Sequence, residues 1–217
     1  MNKKNSIFNM SFSDLEAFLD NLGESKFRAK QIWRSIYHEG KESFFDMTNI
    51  SNNLRSLLAE KISIDLLLTK IFLSSKDLST DKALFELEDG ELIETVLMRY
   101  KEDGHRNSRK TVCISTQAGC ALGCTFCATG QQGFRRNLTF GEIVKQVLYM
   151  RKLALSEDME EISKGFRTKG EIQGVTNIVF MGMGEPLANY ENTISAIRVL
   201  NDPLGLNIGA RHITVST

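Results

Sequence analysis

Proline and one-sided charge are what this sequence most lacks. There are 2 Pro and 16 Gly among 217 residues, which excludes collagen-like and low-complexity chains. Lys+Arg and Asp+Glu number 27 each, for a formal net charge of zero. That excludes an acidic or basic tail protein and gives no global electrostatic sign of nucleic acid, although a local patch suffices to bind one. No apolar run reaches the roughly 18 residues of a membrane span. The opening MNKKNSIFNMSFSDLE has no continuous apolar stretch after its two lysines, so it does not read as a secretory signal. A cytoplasmic protein with no membrane partner is the expectation. Histidine is scarce, at 3, and the four cysteines are clustered: Cys113, Cys120, Cys124 and Cys127 lie within fifteen residues of one another. In a reducing compartment such clustering reads as metal or redox chemistry rather than a disulfide framework. The remainder, 41% hydrophobic and 25% charged, is ordinary globular composition with length for one or two domains.

The first sixty residues read as helical. Ser13 and Glu16 make an S-x-x-E capping box before Leu15, Phe18, Leu19 and Leu22, with Gly23 as a stop. Phe27, Trp33, Ile36 and Tyr37 suggest a second amphipathic helix ending near Gly40, and Leu54, Leu57 and Leu58 a third. Lys26, Arg28, Lys30 and Arg34 give this module an exposed basic side, which on charge pattern alone reads as a solvated helix face before it reads as a binding surface. From about Ile64 the texture changes. ALFELEDGELIETVLMRY reads as a hairpin around Asp89-Gly90, a favoured type I′ pair. The polar stretch KEDGHRNSRK reads as a loop and TVCIST as a short buried strand. Thr139 and Glu142 form another capping box, before Ile143, Val147, Leu148 and Met150. SEDMEEISKGFRTKGEIQG reads as an exposed insertion, VTNIVFMG as a strand, Asn192 to Leu200 as a helix and ITVST as a further buried strand. This alternation argues for a parallel sheet with crossover helices. Only about 110 residues follow the hairpin, whereas a closed eight-stranded barrel takes about 250. The chain is therefore expected to be the front piece of a longer enzyme, the alternative being a short open α/β sheet.

Cys120-Ala-Leu-Gly-Cys124-Thr-Phe-Cys127 has the spacing C-x3-C-x2-C. Three thiolates on one tight loop can bind three irons of a cubane cluster and leave the fourth open to a substrate or cofactor. Gly119 and Gly123 let the backbone wrap closely. Structural zinc with Cys113 as fourth ligand is the rival, awkward because Cys113 sits in a predicted strand seven residues earlier. Neither His105 in the preceding loop nor the distant His38 and His212 offers a replacement.

The spacing, with Phe126 before the last cysteine, resembles the radical S-adenosylmethionine (SAM) superfamily. The longer string CISTQAGCALGCTFCATGQQGFRRNL, with MGMGEPLANY and ITVST, resembles the RlmN/Cfr family of radical-SAM RNA methyltransferases over nearly all of this chain. The resemblance implies an α/β fold: a partial radical-SAM (βα) barrel over residues 106–217, preceded by a small helical RNA-binding-type module over 1–62 and a linker with the β-hairpin over 63–105. It implies that Cys120, Cys124 and Cys127 hold a 4Fe-4S cluster and that the amino and carboxylate groups of SAM take the open iron. Phe126 would pack near the adenine or into the loop core. Gly182 and Gly184 would permit close backbone approach, Glu185 would receive the ammonium of SAM, and Ser216 would match a SAM-contacting serine.

In the family a cysteine near the C-terminus, methylated by a first SAM, delivers its carbon to C2 of an adenine after hydrogen abstraction, and a second cysteine resolves the protein–RNA adduct through a disulfide. Cys113 matches the resolving cysteine and Glu94 the general base. The stretch between these two is longer here than the usual pattern, and no cysteine follows Cys127, so the methyl-carrying cysteine would lie beyond Thr217 and this chain alone is expected to be inactive. The implied partners are 23S rRNA and tRNA, with an electron donor such as flavodoxin or ferredoxin and a monomeric state. Arg106, Arg109, Lys110, Arg135 and Arg136 are candidate phosphate contacts. A C8-methylating relative, another radical-SAM enzyme such as an activase or maturase, and a non-enzymatic RNA-binding zinc module are the alternatives.

Overall fold

The computed structural model describes residues 4–102, 108–166, 168, 172 and 174–217. His105 and Arg106 lie outside the described residues. The N-terminal module is closed by two short parallel strands, β1 (Asn5–Ser6) and β2 (Ile62–Ser63), with three helices between them: α1 (Phe12–Asp20), α2 (Lys26–Tyr37) and α3 (Asn52–Lys61). Its core is aromatic. Trp33 meets Phe12 edge-on at 5.5 Å and Tyr37 at 4.4 Å between ring centroids.

Two expectations shift here. The capping box is Ser11 and Asp14, not Ser13 and Glu16: Ser11 Oγ accepts from the Asp14 N–H at 3.1 Å, and the Asp14 carboxylate accepts from the Ser11 N–H at 2.9 Å. An aspartate three residues on serves this geometry as a glutamate does. Phe27 is not on the buried face of α2 but 63% exposed. It lies more than half a helical turn from Ala29, where the buried stripe Ala29, Ile32, Trp33, Ile36 and Tyr37 begins.

The rest is organised around one six-stranded sheet, formed by β3 (Leu68–Ser74), β4 (Thr80–Glu86), β5 (Leu92–Tyr100), β6 (Arg109–Cys113), β9 (Asn177–Phe180) and β10 (Ile213–Val215), in the order β10-β9-β6-β5-β4-β3. β3 to β6 run antiparallel to their neighbours, and β6, β9 and β10 are parallel. The hairpin lies inside the sheet, because β5 gives its second edge to β6. β3 is an edge strand, exposed at all but one residue and interrupted in register between Thr69 and Ile71, so it carries no inward–outward alternation.

The hairpin turn is not type I′. Gly90 is left-handed at φ 85° but Asp89 is not, and the Gly90 N–H donates to Leu87 O at 2.9 Å while the Leu87 N–H donates to Glu91 O at 2.8 Å. This is a three-residue loop with glycine in the left-handed position, the next commonest hairpin solution.

Thr139 and Glu142 do form a capping box, opening α5 (Phe140–Ser163). That helix continues through SEDMEEIS, so the first part of the expected insertion is helix packed on the sheet. Asp158 is fully buried and accepts from Lys110 Nζ and the Gly174 N–H, both at 2.8 Å. Glu157 accepts from Arg99 Nε at 3.0 Å, and Arg99 also pairs with Asp81. Charged letters misled because these acids face basic residues of β5 and β6 rather than water. α5 covers the face of β5 that carries Ile93, Thr95 and Leu97, and α6 (Tyr190–Asn201) lies beside α5. β10 is an edge, with Ile213 half-buried and Thr214 and Val215 exposed, so ITVST is not a buried strand. Among the described residues no helix is long and apolar enough to cross a membrane.

Candidate active site

A small antiparallel pair, β7 (Gln117–Gly119) and β8 (Phe134–Asn137), carries the cysteine loop and the short helix α4 (Ala128–Gln131) between its strands. The loop is packed against its own backbone. Gly119 sits at φ +72°, and a Cβ there would stand 1.9 Å from Gly133 O. The Cys120 N–H donates to that carbonyl at 3.2 Å, and the Cys127 N–H donates to Cys124 O at 3.0 Å. A Cβ on Gly130 would come within 3.0 Å of Cys124 N. Cys127 is the residue before α4, and the Gly130 N–H, aided by the N–H and hydroxyl of Thr129, holds its thiol below the usual cysteine range. A thiolate favoured by N–H donors is what a metal-sulfur site needs.

The donor set is all sulfur, the soft set that selects iron–sulfur clusters or zinc. Among the described residues no three His, Cys, Asp or Glu side chains gather as they would around one ion. A cubane instead takes each thiolate at a separate iron, and the chemistry of an all-sulfur set suits it. Cys113, the fourth ligand of the zinc alternative, stands apart on β6. The Met181 N–H donates to its sulfur, and burial pushes its thiol up.

β6, β9 and β10 end at one rim, and the expected cofactor residues follow it: the cysteine loop after β6, Met181 to Glu185 after β9, Ser216 after β10. Ligands of open parallel sheets bind outside such carboxyl ends. The sheet face opposite α5 carries the other two expected residues. Register pairs Val96 with Cys113 and Leu84 with Glu94, so Glu94 and Cys113 share that face as diagonal neighbours, roughly 7–8 Å apart by strand geometry. Glu94 is half-exposed and ion-paired to Lys82 Nζ at 3.0 Å.

Phe126 is 91% exposed, so it does not pack into the loop core. What approaches the two glycines is the protein's own chain: a Cβ on Gly182 would be 2.6 Å from Ile114 O, and one on Gly184, at φ +99°, 2.5 Å from Gln117 Cβ. The Glu185 carboxylate accepts from the Leu187 N–H at 3.0 Å and so caps the 3-10 turn Pro186–Asn189. Of the basic candidates, Lys110 is spent on Asp158 and Glu157, and Arg136 bridges Glu142 at 2.8 Å and Asp89. Arg109 stacks on Tyr100 at 4.3 Å, which leaves Arg135 exposed.

Buried polar residues around the rim escaped the sequence reading. Fully buried Gln146 of α5 accepts from Thr95 Oγ1 and the Ser115 N–H, both at 2.8 Å, and donates to Ser115 O at 2.9 Å. Ser115 Oγ donates to Glu94 O at 2.6 Å and accepts from the Met183 N–H at 2.9 Å. The signal was present: polar residues interrupting apolar strand and helix patterns need buried partners.

Comparison with known proteins agrees with this arrangement. Residues 5–64 match the ribosomal RNA large subunit methyltransferase N-terminal domain, and residues 114–217 match the radical SAM superfamily. A probable dual-specificity RNA methyltransferase RlmN of Staphylococcus aureus is 45% identical over 214 residues, covering 99% of this chain and 53% of the relative. Its counterpart in Staphylococcus saprophyticus is 44% identical over 215 residues, with the same coverage. The crystal structure of a radical SAM methyltransferase from Sphaerobacter thermophilus superposes with a TM-score of 0.80 at 39% identity, over 98% of this chain and 57% of that one. The chain spans about half the length of the curated relatives it matches.

Proposed function

From a chain that belongs to the RlmN-type radical SAM family, we propose that the whole protein methylates C2 of adenine in 23S rRNA and tRNA, using a 4Fe-4S cluster and SAM. The observation that carries this reading is the common rim. The three-thiol loop and the Glu185 segment meet at the carboxyl ends of β6 and β9, and Glu94 and Cys113 stand on the adjoining open face. Cys120, Cys124 and Cys127 would hold the cluster; Glu185, Ser216 and the backbone at Gly184 would hold SAM, with exposed Phe126 free to turn onto its adenine. When bound there, the cluster would supply the electron for cleavage of the cofactor. Glu94 accepts the proton from adenine C2, a task for a positioned carboxylate, and Lys82 orients it. Cys113 resolves the adduct: its thiolate would attack the sulfur of the methyl-carrying cysteine, forming a disulfide as the sulfur–carbon bond breaks, and the released carbon would keep the electron pair and take a proton to become the methyl group, so the Cys113 thiol must ionise. Flavodoxin or ferredoxin would supply electrons to a cytoplasmic monomer.

The direct test is anaerobic reconstitution of the full chain, iron and sulfide analysis, and transfer of label from methyl-labelled SAM to a 23S rRNA fragment and to tRNA. About four irons and four sulfides per chain are expected, with label at adenine C2. One zinc and no sulfide, or label at C8 only, would overturn the proposal.

The RNA contact has a specific candidate. Lys26, Lys30 and Arg34 are exposed at i, i+4 and i+8 along α2, beside exposed Phe27. Cations one helical turn apart with an aromatic ring suit phosphates and an unstacked base. The double change Lys26→Glu/Lys30→Glu is expected to weaken binding of the rRNA fragment and to flatten the dependence of log affinity on log salt by about 1.5, the value of two phosphate contacts. An unchanged slope would remove α2 from the interface.

A further inference from the structure

The cysteine loop and the Glu185 segment come from separate stretches of chain, yet buried amides that none of the roles above employs fasten them together. Gln117, 1% exposed, lies three residues before Cys120. Its Oε1 accepts from the Glu185 N–H at 2.8 Å, and its Nε2 donates to Asn137 Oδ1 at 2.8 Å, on the strand by which the loop returns. Its own N–H donates to Met183 O at 3.2 Å, and its Cβ occupies the space that a side chain at Gly184 would need. Asn189, 3% exposed, repeats the grip one turn later, with Nδ2 donating to Thr116 O and Leu138 O, both at 2.8 Å. Both strands of the cysteine hairpin are thus held by the segment that carries Glu185.

We propose that Gln117 is a positioning residue for cofactor binding, setting the Glu185 carboxylate at a fixed offset from the three thiolates. This rests on the reading of Glu185 as the partner of the SAM ammonium. A cofactor anchored at the loop and at Glu185 is sensitive to the distance between them, and displacements near 1 Å are costly in such two-point arrangements. An apolar side chain at position 117 would take away the acceptor of the half-buried Glu185 N–H and the donor to the Asn137 amide and free the two segments to shift. Glutamate is the conservative replacement: it accepts from the Glu185 N–H, and from Asn137 once that amide is turned round.

The test uses the full chain, reconstituted anaerobically, in wild-type form and as Gln117→Leu, Gln117→Glu, Glu185→Gln and the Gln117→Leu/Glu185→Gln double variant. SAM is titrated against the EPR spectrum of the reduced cluster. Gln117→Leu is expected to keep wild-type iron and sulfide but to weaken SAM about tenfold. Gln117→Glu is expected to stay within about threefold of wild type. In the Glu185→Gln background, Gln117→Leu is expected to add less than about twofold, because it acts through the same group. Additive losses would overturn the proposal, as would a Gln117→Leu variant that loses cluster and thermal stability while its loaded fraction binds SAM normally. If Gln117→Leu does not accumulate in folded form, Gln117→Asn, which withdraws the amide by one methylene, carries the same expectations. A wild-type protein with full iron and sulfide but no SAM-dependent spectral change would overturn the Glu185 reading itself, and the proposal with it.

Discussion

Replacing Cys124 by alanine is expected to abolish the iron–sulfur cluster. Iron and sulfide should fall from about four each per chain to background, and the brown colour should not develop on anaerobic reconstitution. Cys124 is the middle ligand of the loop, and two thiolates cannot anchor three irons of a cubane. The fold should survive the change. The Cys124 side chain is half-exposed and outside the hydrophobic core, and the loop's internal bonds run through backbone atoms, Cys127 N–H to Cys124 O and Cys120 N–H to Gly133 O. Only the stabilisation conferred by the bound cluster itself should be lost. Cys113→Ala is the informative control. Cys113 sits on β6, paired in register with Val96 and Val179 and outside the three-thiol loop, so this variant should keep its iron and sulfide. Stoichiometric iron and sulfide in Cys124→Ala would refute the ligand assignment, and loss of metal from Cys113→Ala would revive four-cysteine zinc.

How far the sequence revealed this arrangement depended on where each signal was stored. Local signals read well. The Thr139–Glu142 box opens α5 where the letters place it, and Gly23 and Gly40 take left-handed conformations after their helices. The parallel order of β6, β9 and β10 follows from alternating strands and helices. Signals that depend on a distant partner did not read. SEDMEEIS has the letters of a solvated segment, and only the presence of Arg99 and Lys110 on neighbouring strands makes it a packed helix end. β3 is hidden by its register shift. Lys110 and Arg136 resemble phosphate contacts until the acids that occupy them are seen. At the site, the cysteines were legible because their spacing is itself the geometry. Gln117, Ser115, Gln146 and Asn189 were not, since their work is to join segments up to about seventy residues apart. Glycine shows both cases at once. Gly182 and Gly184 were read as permitting close backbone approach, and a Cβ on either would meet Ile114 or Gln117: a small residue marks a close approach without saying what approaches.

The same lesson gives the second large expected effect, at Gly119, whose partner in close approach is the far side of its own loop. Gly119→Ala is expected to destabilise the protein by about 3 kcal/mol or more and to impair cluster assembly. Two costs combine. Alanine at φ +72° is in the left-handed region, worth roughly 1–2 kcal/mol for a residue with a Cβ. The larger cost is steric: the new methyl would lie 1.9 Å from Gly133 O and 3.3 Å from Phe134 Cα, all backbone atoms, so no side-chain rotation relieves the clash. β7 and β8 must separate, which breaks the Cys120 N–H bond to Gly133 O and displaces Cys120, the most buried of the three loop thiols. Gly133→Ala isolates the first cost. Gly133 is also left-handed, at φ +75°, but nothing lies within 4 Å of its added Cβ, so that variant should lose only about 1–2 kcal/mol and keep its cluster. Urea unfolding of both variants with and without reconstitution measures the difference. Equal destabilisation would mean that backbone conformation alone required glycine at position 119. A Gly119→Ala protein as deficient in iron as Cys124→Ala, beside a fully loaded Gly133→Ala, would show that the cysteine loop works only while its two ends are pressed together at Gly119 and Gly133.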